Sequence, residues 1–508
     1  MKQLILENKT MIYMKNPFAN IKIISRICGF VLIMMLSLAV TSQSDYELLR
    51  DAMLGETPIA DDLKELCEDI GGRITGSKAN KASVNWAFSK LNATGLKTWK
   101  DGFEMPVLWL PQTTKSRLFG PGAKTPILVS KYGTERGIYS SKIVGVGTGT
   151  EEEFESKSEV IKDRFVIVET ELCLDINGLF AEYAHAAKVE ELAYKHGAKG
   201  IIFMSSRPKG LLYRFITSRG TSAIIPQFIM AREDARFIMD EIARGQHMEI
   251  TITVNSQKGG SFQSQNVIAE IPGTKYPDEV IVIGAHLDSW AMGQGANDNG
   301  CNVSMMIDIA RQIKALNIQP DRTIRFALWN GEEQGYFGSW DYTKENLETL
   351  DNHIMALSVD IGSGGITGFF TNGRQELMGI VDKVLEPVSE YGPFTQLNIP
   401  IVGTDNFDFM LQGVPNLVAN HKPFNYGLNY HASTDTYDKV DIESLKQNAA
   451  IVAVLTLGFA NLDPEEAAVL KRQTREEVQD VFDKSNLEFT MRMFNVWEPW
   501  INGERGIK

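Results

Sequence analysis

Hydrophobic and polar residues alternate with different periods in successive segments of the chain. In residues 45–111, the segments YELLRDAML, IADDLKELCEDI and NKASVNWAFSKLNATG carry apolar residues at helical spacing, which predicts helices. From residue 112 to residue 262, short β-rich runs such as RFVIVET and GIIFMSS alternate with turns and with one helical segment, AHAAKVEELAYKHG. This pattern predicts a compact α/β insert rather than a linker.

Residues 263–462 alternate apolar strands with helices. The strands EVIVIGAHLD, TIRFALW and HIMALSV are almost continuously apolar, and the helical segments GCNVSMMIDIARQIKAL and QELMGIVDKVLEPV lie among them. Such strands are typical of a mostly parallel sheet that helices cover on both faces. We therefore predict an α/β fold, with residues 45–111 as its N-terminal part and a smaller α/β domain inserted. The sequence of residues 463–508 predicts a helical extension. We expect it to serve either for packing or for a homodimer contact.

Length, charge and the N-terminus narrow the classes of function. A chain of 508 residues is long enough for more than one domain. The net charge of −13 argues against nucleic acid or an anionic membrane as a partner. Within residues 1–44, basic residues precede the apolar run ICGFVLIMMLSLAV and the polar TSQS follows it, the layout of a secretory signal peptide. This run is shorter than the roughly 20 residues that span a bilayer. We therefore expect a secreted or periplasmic protein without stable membrane insertion after cleavage.

Acidic and imidazole side chains follow the ends of the predicted strands, where ligands bind in such sheets. They are His286 and Asp288, then Asp298, then Glu332 and Glu333, then Asp360, and finally His431 in the loop FNYGLNYHASTDTYD. Each has an ordinary structural alternative: the aspartates can cap helices or turns, and the histidines can lie in a core or a loop. Their joint occurrence at one edge of the sheet favours a metal site.

The adjacent Glu332 and Glu333, between glycines after an apolar strand, support this interpretation. Two buried like charges repel each other, and a divalent cation makes their clustering favourable. Imidazole together with carboxylate suits zinc. Five ligands can hold two ions if Asp298, the central carboxylate, bridges them. Glu333 can then bind metal while Glu332 stays free as a general base, and the Asp288 carboxylate is placed to accept the second ring N–H of His286.

The motifs GAHLDSW, GANDNG, WNGEEQGYFGS, SVDIG and YHASTDTYD resemble those of the co-catalytic zinc exopeptidases, metallopeptidase family 28. GGRITGS resembles the N-terminal motif of that family, and the insert is similar to the protease-associated domain of some members. The resemblance implies a zinc aminopeptidase-like fold and an exopeptidase that acts on short peptides or dipeptides. It also implies the roles of the site residues: His286, Asp298 and Asp360 on one zinc, Asp298, Glu333 and His431 on the other, Glu332 as base and Asp288 as orienting residue.

Some alternatives stay open at the level of sequence. Asp405, in the segment VGTDNFDF, is either part of the substrate wall or a turn residue. Arg73 either supports the site or pairs at the surface. A non-catalytic receptor-like binding protein with a protease-associated domain would have lost ligands, and a glutaminyl cyclase would use a single zinc. The complete ligand set favours the peptidase.

Overall fold

Two seven-stranded β-sheets organise the part of the chain that the structure, a computed structural model, describes: residues 43–173, 175–218, 220–221 and 223–508. The predicted signal peptide lies outside these residues except for its last two. The strands are β1 Lys97–Met105, β2 Leu108–Phe119, β3 Leu128–Ser130, β4 Gly137–Gly145, β5 Phe165–Val168, β6 Gly200–Met204, β7 Gln227–Met230, β8 Glu249–Gly259, β9 Phe262–Ile271, β10 Tyr276–His286, β11 Arg322–Trp329, β12 His353–Ser358, β13 Ile366–Phe370 and β14 Asn416–His421.

Helices cover these sheets. They are α1 Asp45–Leu54, α2 Ile59–Glu65, α3 Lys78–Ala93, α4 Glu151–Glu155, α5 Ser158–Ile161, α6 Ile176–Lys195, α7 Arg232–Ala243, α8 Cys301–Ala315, α9 Phe337–Glu345, α10 Gln375–Val384, α11 Asn406–Leu411, α12 Tyr426–Asn429, α13 Ile442–Ala460, α14 Pro464–Ala467, α15 Arg475–Lys484, α16 Glu488–Met493 and α17 Trp497–Ile501. Among the residues described, no helix is both long and apolar enough to cross a bilayer.

The larger sheet has the order β1-β9-β11-β10-β12-β14-β13, and its central strands β11, β10, β12 and β14 are parallel. Successive residues of a strand point to opposite faces. Accordingly, Ile281 and Ile283 of β10 pack in the core beneath α8 and α13. Val282 packs on the other face with Tyr342 of α9 and Phe409 of α11. Burial on both faces explains the continuous apolar strands, and the predicted fold class is confirmed.

The second sheet belongs to a segment inserted between β1 and β9. Its order is β2-β8-β4-β5-β6-β7-β3, and its strands all fall within residues 108–259, which we call the inserted domain. β1 and β9 pair antiparallel from Lys97↔Glu270 to Met105↔Phe262. The chain therefore leaves the larger sheet on one strand and returns on the adjacent strand, as expected for an insertion.

Residues 463–508, which we call the C-terminal extension, pack against the larger domain. Val478, Phe482, Met491 and Trp500 of the extension share a buried cluster with Phe407, Met410 and Leu411 of α11. Burial of this apolar surface stabilises the docked position of the extension. Packing within the chain therefore accounts for the buried apolar residues of these helices.

Candidate metal centre and catalytic site

Three parallel strands end side by side at the edge of the larger sheet where the site lies. His286, the last residue of β10, pairs in register with Trp329, the last residue of β11. The turn after β11 carries Glu332 and Glu333, and Asp360 follows β12 by two residues. Because parallel strands present the same ends at one edge, side chains far apart in sequence meet there.

The ligand candidates form two groups of three: His286, Asp298 and Asp360, and Asp298, Glu333 and His431. In each group the ligand atoms all lie within 4.8 Å of one another. His286 Nε2 lies 3.0 Å from Asp360 Oδ1 and 3.1 Å from Asp298 Oδ1. His431 Nε2 lies 3.2 Å from Asp298 Oδ2 and 2.9 Å from Glu333 Oε2. Asp298 therefore presents one oxygen to each group, the arrangement that a bridging carboxylate requires.

The electrostatics of these residues fit a bound cation. Burial raises the pKa of Glu333 to about 7, although the adjacent His431 opposes the rise. Burial likewise raises the pKa of Asp360 against the pull of His286. Glu333 Oε1 is buried without a hydrogen-bond partner among the described residues. Crowded, desolvated carboxylates of this kind are stabilised by a divalent cation, and the nitrogen and oxygen donors suit zinc.

Glu332 belongs to neither group of ligands. Its Oε2 lies 3.9 Å from His286 Nε2, and no hydrogen-bond donor among the described residues reaches its carboxylate. Burial raises the pKa of Glu332 well above its ordinary value; His286 lowers it, and repulsion from Asp360 adds to the rise. The Glu332 carboxylate thus lies beside the candidate ligands without belonging to either group, as expected for a general base.

The contact predicted for Asp288 needs correction. His286 Nδ1 lies 3.0 Å from the main-chain oxygen of Asp288 and 3.8 Å from its carboxylate. The carboxylate instead accepts the Thr75 hydroxyl at 2.8 Å and the Glu332 N–H at 3.3 Å. These donors hold the carboxylate away from the imidazole. Asp288 therefore orients His286 through its carbonyl and the Glu332 backbone through its side chain.

Gly331 allows the chain to turn sharply between β11 and the glutamate pair. Its φ of +75° lies in the left-handed region, which favours glycine. A Cβ at this position would also lie 2.8 Å from the Met105 sulfur. The Gly331 N–H donates to the Thr75 hydroxyl at 3.1 Å. The GGRITGS motif thus helps to fix the start of the turn that carries Glu332.

Arg73 supports the site and does not pair at the surface. Its fully buried guanidinium donates to the carbonyl oxygens of Leu287, Gln294 and Gly295 at 2.6, 2.8 and 2.9 Å. These carbonyls belong to the loop that joins His286 to the Asp298 segment. One rigid side chain therefore fixes the path of the chain between two ligands.

Asp435 is a supporting residue that the sequence analysis missed. Its carboxylate accepts the N–H of Asn297 at 2.7 Å and the N–H of Asp298 at 3.1 Å, and it is buried. It therefore holds the backbone of the bridging ligand. Asp435 lies in the motif YHASTDTYD together with His431. The presence of an acidic residue in the loop of a predicted ligand is the only indication of this role in the sequence.

Replacing Asp435 with asparagine is expected to weaken zinc binding by about 10–100-fold, as is typical for residues that orient metal ligands. The amide can accept only one of the two N–H groups and turns a donor toward the other. A zinc titration against a competing chelator measures the effect. The matched control is Asp438→Asn, an exposed position in the same loop. Equal zinc affinity in the two variants would contradict the role of Asp435.

The prediction that Asp405 forms part of the substrate wall also needs correction. Asp405 is buried and accepts the Ser339 hydroxyl at 2.6 Å. Burial raises its pKa well above the ordinary value, and it lines neither cavity of the site, whereas Gly403 and Thr404 do. Asp405 therefore joins the start of α9 to the start of α11.

Two cavities meet at Glu332. One has a volume of about 220 Å³ and includes Glu333 and Gln334; we call it the glutamate-side cavity. The other has a volume of about 340 Å³ and includes Asp360; we call it the aspartate-side cavity. Together they provide room for a small ligand on both sides of the candidate base.

The inserted domain contacts the loop that carries His431. The Arg214 N–H donates to the main-chain oxygen of His431 at 3.3 Å, and the Phe215 ring lies 5.3 Å from the imidazole. The Tyr430 ring stacks on His431 at 3.6 Å, and its hydroxyl lies 3.1 Å from that of Tyr183 in α6. The inserted domain therefore covers one side of the site.

This geometry is that of a metallopeptidase, and sequence comparison agrees. A sequence model described as peptidase family M28 matches residues 266–456, the segment that contains both ligand groups. The predicted resemblance to peptidase family M28 is confirmed over this segment, and the protein is an enzyme of the metallopeptidase class.

Individual relatives extend the similarity beyond this domain. The chain is 26% identical over 412 residues to carboxypeptidase Q of Xenopus laevis. This alignment covers 78% of this chain and 84% of the relative. A solved peptidase M28 precursor from Shewanella amazonensis SB2B is 27% identical, with a TM-score of 0.73 over 82% of this chain and 96% of that one. BSAP, a zinc aminopeptidase from Bacillus subtilis, has a TM-score of 0.62 at 20% identity over 78% of this chain and 93% of its own. At that identity the likeness concerns the fold alone.

Proposed function

We propose that the protein is an exported exopeptidase that binds two zinc ions and hydrolyses the terminal peptide bond of short peptides or dipeptides. The observation that carries the proposal is the pair of ligand groups that share Asp298, with the uncommitted Glu332 beside them. A single-zinc cyclase would need only one group. A non-catalytic receptor would need neither the groups nor the base.

In the proposed mechanism each of the two groups would hold one zinc, and Asp298 belongs to both groups. When bound, zinc lowers the pKa of water and polarises a carbonyl group. The Glu332 carboxylate accepts a proton from the attacking water as the new C–O bond forms. It returns that proton to the nitrogen of the leaving amine as the C–N bond breaks. Asp288 and Thr75 keep the Glu332 backbone in place during both transfers.

The enclosure of the site supports short substrates. Tyr183 of the inserted domain and Phe494 of the C-terminal extension line both cavities, so structure surrounds the candidate base on several sides. A long folded polypeptide would have to displace these side chains. We propose that the inserted domain is a protease-associated domain that limits the length of the substrate. The names of the similar proteins, carboxypeptidase Q and aminopeptidase, also favour action at a chain end.

Chelation is expected to abolish hydrolysis of dipeptides, and added zinc to restore it, because the bound zinc and not the polypeptide itself would supply the electrophile. The assay compares dipeptides with both ends free, with the amine blocked, with the carboxyl blocked and with both ends blocked. Each is measured before chelation, after chelation and after zinc is returned. Loss of cleavage with only one end blocked identifies the end that is recognised. Undiminished activity in metal-free protein would refute the proposal, as would equal cleavage of substrates blocked at both ends.

A further inference from the structure

We propose that Phe494 of the C-terminal extension is a specificity-determining residue, which separates a more apolar subsite from a more polar subsite on the two sides of Glu332. This inference rests on the proposed peptidase function and assigns part of its substrate preference. It also gives the extension a role in the site in addition to its packing role.

Phe494 stands at the boundary of the two cavities and lines both of them. Its ring centroid lies 5.5 Å from that of Tyr183 in the inserted domain and 6.3 Å from that of Tyr336, which follows the glutamate pair. Three parts of the chain thus contribute one aromatic side chain each to this boundary. The Phe494 ring, together with Tyr183, therefore limits both cavities on the side of the extension.

The extension that carries Phe494 is held firmly against the site. Arg505 donates to both carboxylate oxygens of the buried Asp408 at 2.7 and 2.6 Å, and to the Gly335 carbonyl at 3.2 Å. Arg475 donates to the main-chain oxygens of Trp500 and Ile507. Bidentate, buried contacts of this kind restrict motion. The Phe494 ring is thereby positioned before any substrate arrives.

The two cavities differ in chemistry. Away from the ligand residues, the wall of the aspartate-side cavity is mainly apolar and includes Phe370, Ile401 and Val402. The glutamate-side cavity has an aromatic wall with Trp340, but it adds Asn495 and Gln334, whose two amide atoms are buried without a hydrogen-bond partner among the described residues. Buried polar atoms without partners favour a ligand that supplies them. A peptide with its scissile bond at Glu332 therefore places an apolar side chain on one side and a polar side chain on the other.

The test measures kcat/KM for the four dipeptides Leu-Leu, Leu-Gln, Gln-Leu and Gln-Gln. The wild type should prefer one of the mixed dipeptides over its reverse. Phe494→Ala, which merges the cavities, should reduce that preference by about tenfold, the scale at which a pocket discriminates side chains. Zinc content should stay unchanged. Phe489→Ala, in the same extension but with a 55% exposed side chain, is the matched control and should retain the wild-type preference.

Phe494→Leu provides a second variant in case the alanine variant does not fold, and it should reduce the preference to a smaller extent. The inference is overturned if the wild type shows no preference between the mixed dipeptides. It is also overturned if the folded Phe494 variant stays within twofold of Phe489→Ala. These results leave the peptidase proposal standing. A wild type that carries zinc and cleaves neither these dipeptides nor longer peptides with free ends refutes the proposed function itself.

Discussion

The Glu332→Gln variant is expected to lose about 10²–10⁴-fold in kcat, the range that a positioned acid–base group contributes. Glutamine has nearly the same shape, but its amide cannot accept the proton of the attacking water. Because Glu332 belongs to neither ligand group, zinc content and thermal stability should match the wild type. Steady-state kinetics together with a metal assay on the same preparation measure both quantities.

Glu348→Gln is the matched control for this variant, since Glu348 is exposed and lies after α9, outside both ligand groups. It should keep wild-type kcat. Near-normal turnover in Glu332→Gln would contradict the assignment of the base. Loss of zinc in Glu332→Gln would instead show that Glu332 is a ligand, which would also contradict it.

The parallel strands explain why most of the site was predictable. β10, β11 and β12 are buried on both faces, so their sequences are continuously apolar and their ends are easy to recognise. His286, Glu333 and Asp360 follow those ends closely. A parallel sheet brings such positions to one edge. The ligand candidates named from the sequence therefore lie in the groups that the structure brings together, and their roles stay a prediction.

Residues that act from a distance were not predictable in this way. Arg73 reaches the Gly295 carbonyl across 222 positions of the sequence, and no local pattern marks that contact. Asp435 looked like one more polar residue of a loop. Phe494 lies in an extension whose sequence indicates only amphipathic helices. Contacts of this kind depend on how separate elements pack, which periodicity does not specify.

The corrections to Asp288 and Asp405 have a related cause. Sequence spacing placed both carboxylates near the site, and both lie near it. Spacing does not determine which atom of a residue faces a partner. The Asp288 carboxylate is occupied by Thr75 and by the Glu332 backbone, and that of Asp405 accepts the Ser339 hydroxyl.

The Asp298→Asn variant should affect both metals at once. The side chain gives one oxygen to each ligand group, and an asparagine amide has only one oxygen with which to bind a cation. We expect zinc content to fall from two ions to at most one. Activity should fall by about 10³-fold or more, since polarisation by a metal is worth several kcal/mol. Asp278→Asn, an exposed aspartate on β10, should leave both unchanged. Retention of two zinc ions by Asp298→Asn would contradict the bridging role.

The central claim is that five side chains from distant parts of the sequence hold a pair of cations. Its most direct test is the amount of zinc bound per chain, measured on wild-type protein that has been saturated with zinc and then dialysed exhaustively. We predict two zinc ions per chain. One zinc ion per chain, or none, would contradict the account.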